Sequence, residues 1–257
     1  MNSDKGKCVC TNEIYLYDGT FEGLLTVIFD CWNNKSLSGI YTEKLHQPKF
    51  TELITAVTTD ESKAFRVQAW ILNAFGEKIL TKIYRAFLTE EDDVEIYIFR
   101  YLKLLFKKGK SIFKDIADPL IDRIEKYERA FSGETHKMYG FTRFEETKDG
   151  ILFSIINTRY NQLEPLMKFF CNRYSGKRIV IYDLGREKAA VYDGINSYLI
   201  DNPPWINKFI NCKESGVYEK MWREYLEALS IKERRNYKLQ RQMLPLRYRP
   251  FMTEFNS

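Results

Sequence analysis

The chemistry in this chain is most concentrated in one stretch, ERRNYKLQRQMLPLRYRP, residues 233–250. Between Ile231 and Pro250 stand seven bases, Lys232, Arg234, Arg235, Lys238, Arg241, Arg247 and Arg249, against a single acid, Glu233. Seven against one is a formal charge of +6, whereas the whole chain carries +5. The basic character is therefore local, which is the electrostatic footprint expected for a polyanion. Arginines outnumber lysines five to two here, which suits bidentate phosphate contacts and stacking. Gln240 and Gln242 can hydrogen-bond to phosphates or base edges, and Tyr237 and Tyr248 offer stacking planes. A solvated helix face mixes signs, as residues 213–228 do, but 234–250 carry no acid. The expectation is a nucleic-acid contact, to DNA or RNA. Arg234, Arg235, Lys238, Arg241, Arg247 and Arg249 would lie on phosphates, Tyr237 or Tyr248 would stack, and Arg143 would extend the surface.

Two other chemistries compete with that reading. The chain has only two histidines, His46 and His136. His136 precedes Arg143 in HKMYGFTRF, and Asp183 closes an apolar strand. Together they are the candidate centre of a nucleotide- or DNA-directed hydrolase or a glycosylase-like enzyme. Against this, His136 can simply cap a helix C-terminus, and Asp183 and Asp193 are ordinary turn residues. A third reading is a protein-interaction module whose arginines pair with acids on a partner. No phosphate-cradling glycine loop, HExxH, GxSxG or dinucleotide fingerprint is present. Cys8-x-Cys10 has no second close pair of ligands, so no metal and no cofactor are expected.

Stepping from these residues to their support, the 44% apolar and 15% aromatic composition is that of a globular protein. The apolar run Ile96 to Phe106 is interrupted by Arg100 and Lys103 and is too short for a bilayer. MNSDKGKCVC has no apolar stretch after its charges, so no signal peptide and a cytoplasmic location are expected. EIYLYDG alternates as an edge strand, and Thr20 then caps a helix whose buried face is Phe21, Leu24, Leu25, Ile28, Phe29 and Trp32. Residues 35–60 read as mostly irregular. A helical stretch covers 61–88, with Asp60 as its cap and a possible break at Gly76. Thr89 caps a further helix ending in KKGK at Gly109. Acids at its start and bases at its end are ordinary helix chemistry, which discounts the Lys103 to Lys110 run as a binding signal. Pro119 opens another helix closing near Gly133.

The pattern then changes period. MYGFTRFEE and ILFSIIN read as strands joined by Asp149-Gly150. A helix starts between Asn161 and Glu164, and RIVIYDL and KAAVYDG follow as two more strands. After Pro203-Pro204, Tyr218, Met221, Trp222, Tyr225 and Leu229 mark an amphipathic helix leading into the basic segment. The expected fold class is α+β in a single unit, 1–257. A mainly helical part, 12–134, would pack on a small antiparallel ββαββ sheet, 135–200, followed by a helical basic C-terminal part, 201–257.

Three stretches also carry a resemblance: YDGTFEGLLTVIFD, HKMYGFTRF, and W-x2-Y-(x5)-I-K-E-R-x-N-x-K-L-Q-R-Q-x-L-P-x-R-Y. The chain resembles, from Ile14 to Phe255, a bacterial family of unassigned function described as a probable DNA metabolism protein. Its members tend to be encoded beside a radical-SAM protein thought to modify or repair DNA. Related domains occur fused ahead of a uracil-DNA glycosylase-like domain. The matching positions are Asp18, Gly19, Phe21 and Gly23, then His136, Met138, Phe141, Arg143 and Phe144. In the third stretch they are Trp222, Tyr225, Arg234, Asn236, Gln240, Pro245, Arg247 and Tyr248. The resemblance implies a DNA-linked role and assigns no catalytic residue. The chain has no CxxxCxxC, so the resemblance casts it as the companion of a radical-SAM enzyme.

Overall fold

A computed structural model of the chain describes residues 12–43, 52–109, 118–207 and 217–255. Cys8, Cys10, His46, Lys110 and Cys212 lie outside the described residues, and so do the readings attached to them. The chain divides into two compact units, 1–131 and 132–257.

In the first unit, β1 (Asn12–Tyr17) is the middle of a three-stranded sheet, in the order β2-β1-β3. β2 (Leu37–Thr42) and β3 (Glu52–Ala56) both run parallel to it. This corrects two expectations, since β1 is not an edge, and the described residues of 35–60 include two strands. Both faces of β1 are covered, since Ile14, Tyr15 and Tyr17 are all buried, so its alternation does not mark an edge. β2 and β3 are short, partly exposed strands whose partner lies far away in sequence, so no local period marks them.

Helices α1 (Phe21–Asp30), α2 (Glu61–Phe75), α3 (Glu77–Phe87) and α4 (Val94–Lys108) supply most of the rest of this core, which Ile121, Ile124 and Tyr127 complete. Thr20 caps α1 by accepting from Gly23 N, and Asp60 caps α2 by accepting from Ser62 N and Lys63 N. Gly76, at φ 86°, separates α2 from α3 because the chain there needs a left-handed backbone. The expected cap at Thr89 is different. Its hydroxyl is buried and donates to Ala86 O, closing α3, while α4 starts after Asp93 at φ 61°. Leu24, Leu25, Ile28, Ile83, Ile98, Leu102 and Leu105 fill the core with Tyr17 and Tyr101.

The unit boundary falls inside α5 (Pro119–Phe141), which does not close at Gly133. Buried Ile121, Ile124, Tyr127, Phe131, Glu134, Thr135, Met138 and Thr142 keep a helical period through the glycine. Gly133 is exposed, so it costs the helix only about 1 kcal/mol. MYGF is therefore helix, and of the expected strand only β4 (Glu145–Glu146) forms.

The second unit's sheet has five strands in the order β4-β5-β6-β7-β8. They are β4, β5 (Ile151–Ile156), β6 (Arg178–Asp183), β7 (Lys188–Tyr192) and β8 (Ser197–Asp201). The α+β class holds, but the sheet is mixed: β5 and β6 are parallel, and the other neighbours antiparallel. A helix joining two adjacent strands returns the chain to the end where it started, so α6 (Leu163–Arg173) imposes this. Leu163, Leu166 and Phe170 of α6 pack with Ile156, Ile179 and Ile181. Phe153, Val180, Tyr182 and Ala189 form a second cluster with Ile206. α7 (Val217–Leu229) and α8 (Tyr237–Met243) follow, with 3-10 turns at Lys232–Arg234, Leu246–Phe251 and Thr253–Phe255. Among the described residues, no helix is long and apolar enough to cross a membrane.

Candidate nucleic-acid interface

The basic segment is built around one cap. Asn236 Oδ1 accepts from Leu239 N and starts α8, whose seven residues are all exposed. Arg235 donates to Ser230 Oγ at 2.7 Å, closing the turn from α7. Arg234, Arg235, Lys238 and Arg241 are exposed, with Lys238 and Arg241 three residues apart on one helix face. Among the described residues, no ion pair or hydrogen bond engages the side chains of Arg234, Lys238 or Arg241. Gln240 and Gln242 are exposed beside them, and Tyr237 is 65% exposed. These are the expected contact residues, and the structure presents them together.

The other expected residues are drawn inward. Tyr248 is only 7% exposed and donates to Glu134 Oε1, so it presents no stacking plane; this corrects that expectation. Burial and the neighbouring Glu134 carboxylate push its phenol up. Glu134 is buried and also accepts from Arg159 N at 2.8 Å and Tyr160 N at 2.9 Å, with Gln162 Nε2 at 3.4 Å. Arg249 donates to Leu244 O and lies 4.7 Å over the Phe255 ring. Arg143 donates to Gly140 O and pairs with Glu254 at 2.8 Å, so it braces the C-terminus and does not extend the surface. Arg247 stays exposed, beside the Tyr248 hydroxyl.

The enzyme candidates do not meet. His136 sits exposed on α5, and Arg143 is engaged as above. Asp183 is fully buried at the end of β6, where it accepts from Arg186 at 2.9 Å, Gly185 N at 3.0 Å and Thr158 at 3.3 Å. Burial pushes its carboxyl above the usual aspartate range, and Arg186 pulls against this. Arg186 also donates to Thr158 O and Arg159 O. Asp183 thus pins the loop after β5, and among the described residues no hydrogen bond or ion pair engages the His136 side chain.

Two features were not singled out from the sequence. One is Glu134, a single acid inside a helix with no local signal of its role. The other is a groove of about 790 Å³ lined by Ser230, Arg235, Asn236, Tyr237, Gln240, Leu244, Arg249, Glu254 and Phe255, with Glu227 beside them. Next to the basic segment, α7 exposes Met221, Trp222, Tyr225 and Leu229, and the Trp222 and Tyr225 rings stack at 5.7 Å. Among the described residues, no cluster of histidine, cysteine or carboxylate side chains could hold a metal ion.

The first matched stretch is architectural. Asp18 accepts from Thr20 N and from the Thr20 and Thr59 hydroxyls, and a Cβ on Gly23 would fall 2.3 Å from Asp18 Oδ1. Those hydrogen bonds outweigh desolvation by burial and hold the Asp18 carboxyl below its usual value. Phe21 packs edge-on to Tyr84 at 5.0 Å.

These features define an α+β protein with a basic, solvent-facing C-terminal segment clamped to its own sheet unit. The chain belongs to the DUF4130 family, a domain of unknown function, which matches residues 92–254 and so spans the basic segment 233–250. None of the curated proteins matches it.

Proposed function

We propose that this protein binds nucleic acid, DNA in the first instance, through the segment from Arg234 to Arg247. The observation that supports this is the set of exposed cations at Arg234, Lys238 and Arg241, with no acid among the described residues paired to them, flanking an exposed Tyr237. A structural arginine finds a carboxylate or carbonyl, as Arg143, Arg186 and Arg249 do. Among the described residues these three do not, and like charges held together repel until an anion neutralises them. The resemblance to DNA-metabolism proteins supports DNA over RNA and a role as accessory to base modification or repair beside a radical-SAM enzyme.

Salt tests the reading. If about four cations each neutralise one phosphate, log K falls against log salt with slope about −3 on single strands and nearer −4 on duplex. Arg241→Ala lowers affinity for all sequences alike and reduces that slope by about one. Fluorescent oligonucleotides titrated at several salt concentrations measure both. Binding that ignores salt, or none at low salt, rejects the proposal.

One observation favours a second reading, the exposed Met221, Trp222, Tyr225 and Leu229 beside the arginines. An apolar face rimmed by cations also suits an acidic amphipathic partner. Trp222→Ala separates the two: it weakens oligonucleotide binding under the first reading only if the α7 rings stack on bases, and it abolishes partner capture under the second.

A further inference from the structure

The five-stranded sheet ends differently on its two sides. At one edge, β4 is two residues long and both are acids, Glu145 and Glu146. A short, charged edge of this kind turns other strands away. At the other edge, β8 has five residues, Ser197-Tyr198-Leu199-Ile200-Asp201, with no proline and no lysine. Its register with β7 runs from Tyr192↔Ser197 to Lys188↔Asp201 without a bulge. Tyr198 is 51% exposed and Leu199 59%, one on each face of the sheet. The one charge of the strand, Asp201, is paired to Lys188 at 3.1 Å. Backbone hydrogen bonds just beyond its two ends fix the direction of the rest. Asn202 N donates to Glu187 O, and Asn196 O accepts from Asp193 N, so residues 198 and 200 turn their N–H and C=O toward β7. Those of Ser197, Leu199 and Asp201 turn outward, and all three residues are exposed.

We infer that β8 pairs antiparallel with β8 of a second copy of this chain, about a two-fold axis at Leu199. In that register Leu199 faces its own counterpart, Ser197 faces Asp201, and Tyr198 faces Ile200. The outward residues of the two strands then form about six backbone hydrogen bonds. Tyr198 and Ile200 make aromatic–β-branched pairs on one face, and the two Leu199 side chains meet on the other. Charge selects the same register. Asp201 meets a serine hydroxyl and keeps Lys188, and no like charges stand opposite one another. A slip by two residues sets Ser197 opposite Pro203, which has no N–H, or Asp201 opposite Ile195, outside the strand. A strand from an unrelated protein gains the backbone bonds without matching these side chains, so the second copy is the occupant that fits.

Sedimentation velocity of the full chain from about 1 µM to about 1 mM tests this. A five-residue edge is a small interface, so the dimer is weak and forms in the upper part of that range. Leu199→Lys and Leu199→Glu each set like charges opposite one another at the axis, and each raises the dissociation constant about tenfold or more. Mixing the two variants restores the dimer as a mixed pair, because opposite charges then meet. Leu199 is exposed, so both variants keep the wild-type thermal melt. Should either unfold, amide exchange on the wild-type chain decides. The Leu199 amide then exchanges slowly at high concentration and fast at low, while the Ile200 amide, turned toward β7, does not change. A wild-type chain that stays monomeric to about 1 mM overturns the inference, even if its β8 takes up a strand from another protein. So does a dimer that ignores both substitutions, which would put the contact on another surface, such as the exposed face of α7.

Discussion

Tyr237 and Tyr248 stand in the same basic segment, yet their environments are opposite. Tyr237 leaves its ring in solvent at the start of a short helix, 65% exposed. Tyr248 is 7% exposed, packs near Phe141 at 5.6 Å and donates to a carboxylate that also binds two backbone amides. The arginines divide in the same way: Arg143 and Arg249 find acceptors in the protein, and Arg234 and Arg241 find none among the described residues. What separates the groups is the presence of a buried acceptor. Glu134 holds Tyr248 and the Leu244 carbonyl holds Arg249, whereas the other half is fixed by the Asn236 side-chain cap and the Arg235–Ser230 bond. A basic cluster read from sequence therefore mixes an anchoring half with a solvent-facing half, and under the proposed function only the solvent-facing half meets a phosphate.

The strongest test of this division is Glu134→Ala. It strands two backbone amides and the Tyr248 hydroxyl without an acceptor in a buried site, which costs about 3–5 kcal/mol by analogy with breaking a buried pair. Chemical denaturation measures it, and a loss under about 1 kcal/mol would show that Glu134 is not the anchor. Tyr248→Phe removes one hydrogen bond to that carboxylate and lowers stability by about 1.5–3 kcal/mol, whereas Tyr237→Phe changes it by under about 0.5 kcal/mol. Equal effects at the two tyrosines would erase the contrast drawn here.

The next test uses pH. Burial raises the Asp183 carboxyl above the usual aspartate value of 3.8 in the folded chain. Between 3.8 and the raised folded value, the folded chain holds a proton that the unfolded chain has lost. Stability therefore falls as pH rises through that window. Asp183→Asn removes this contribution, so its denaturation midpoints flatten there relative to wild type. Parallel pH profiles would mean that Arg186 fully offsets the burial. The smallest effect belongs to Arg241→Ala, which changes stability by no more than about 0.5 kcal/mol while reducing the salt slope of binding.

Much of the helical framework is legible along the chain. Thr20 and Asp60 cap where their side chains suit a helix start, Gly76 and Gly109 stop helices where a positive φ is needed, and Leu24, Leu25 and Ile28 of the expected face are core, although the helix ends at Asp30, before Trp32. Asp149-Gly150 turns the chain between β4 and β5. The errors have one cause. β2, β3 and β8 are short strands stabilised by partners distant in sequence or by a neighbour's exposed edge, so their own residues hold no strong period. At Gly133 a residue that usually ends helices was overruled by the buried stripe continuing to Met138 and Thr142.

The amino-acid sequence by itself determined where charge accumulates, which stretches are helical and that the chain is a globular α+β protein. Those properties depend on residue type and near-neighbour spacing. Only the tertiary structure decided that β5 and β6 run parallel and that Tyr248, Arg143 and Arg249 anchor the C-terminus. Each of those outcomes depends on which distant group supplies a donor or an acceptor once the chain has folded, and spacing along the chain carries no record of it.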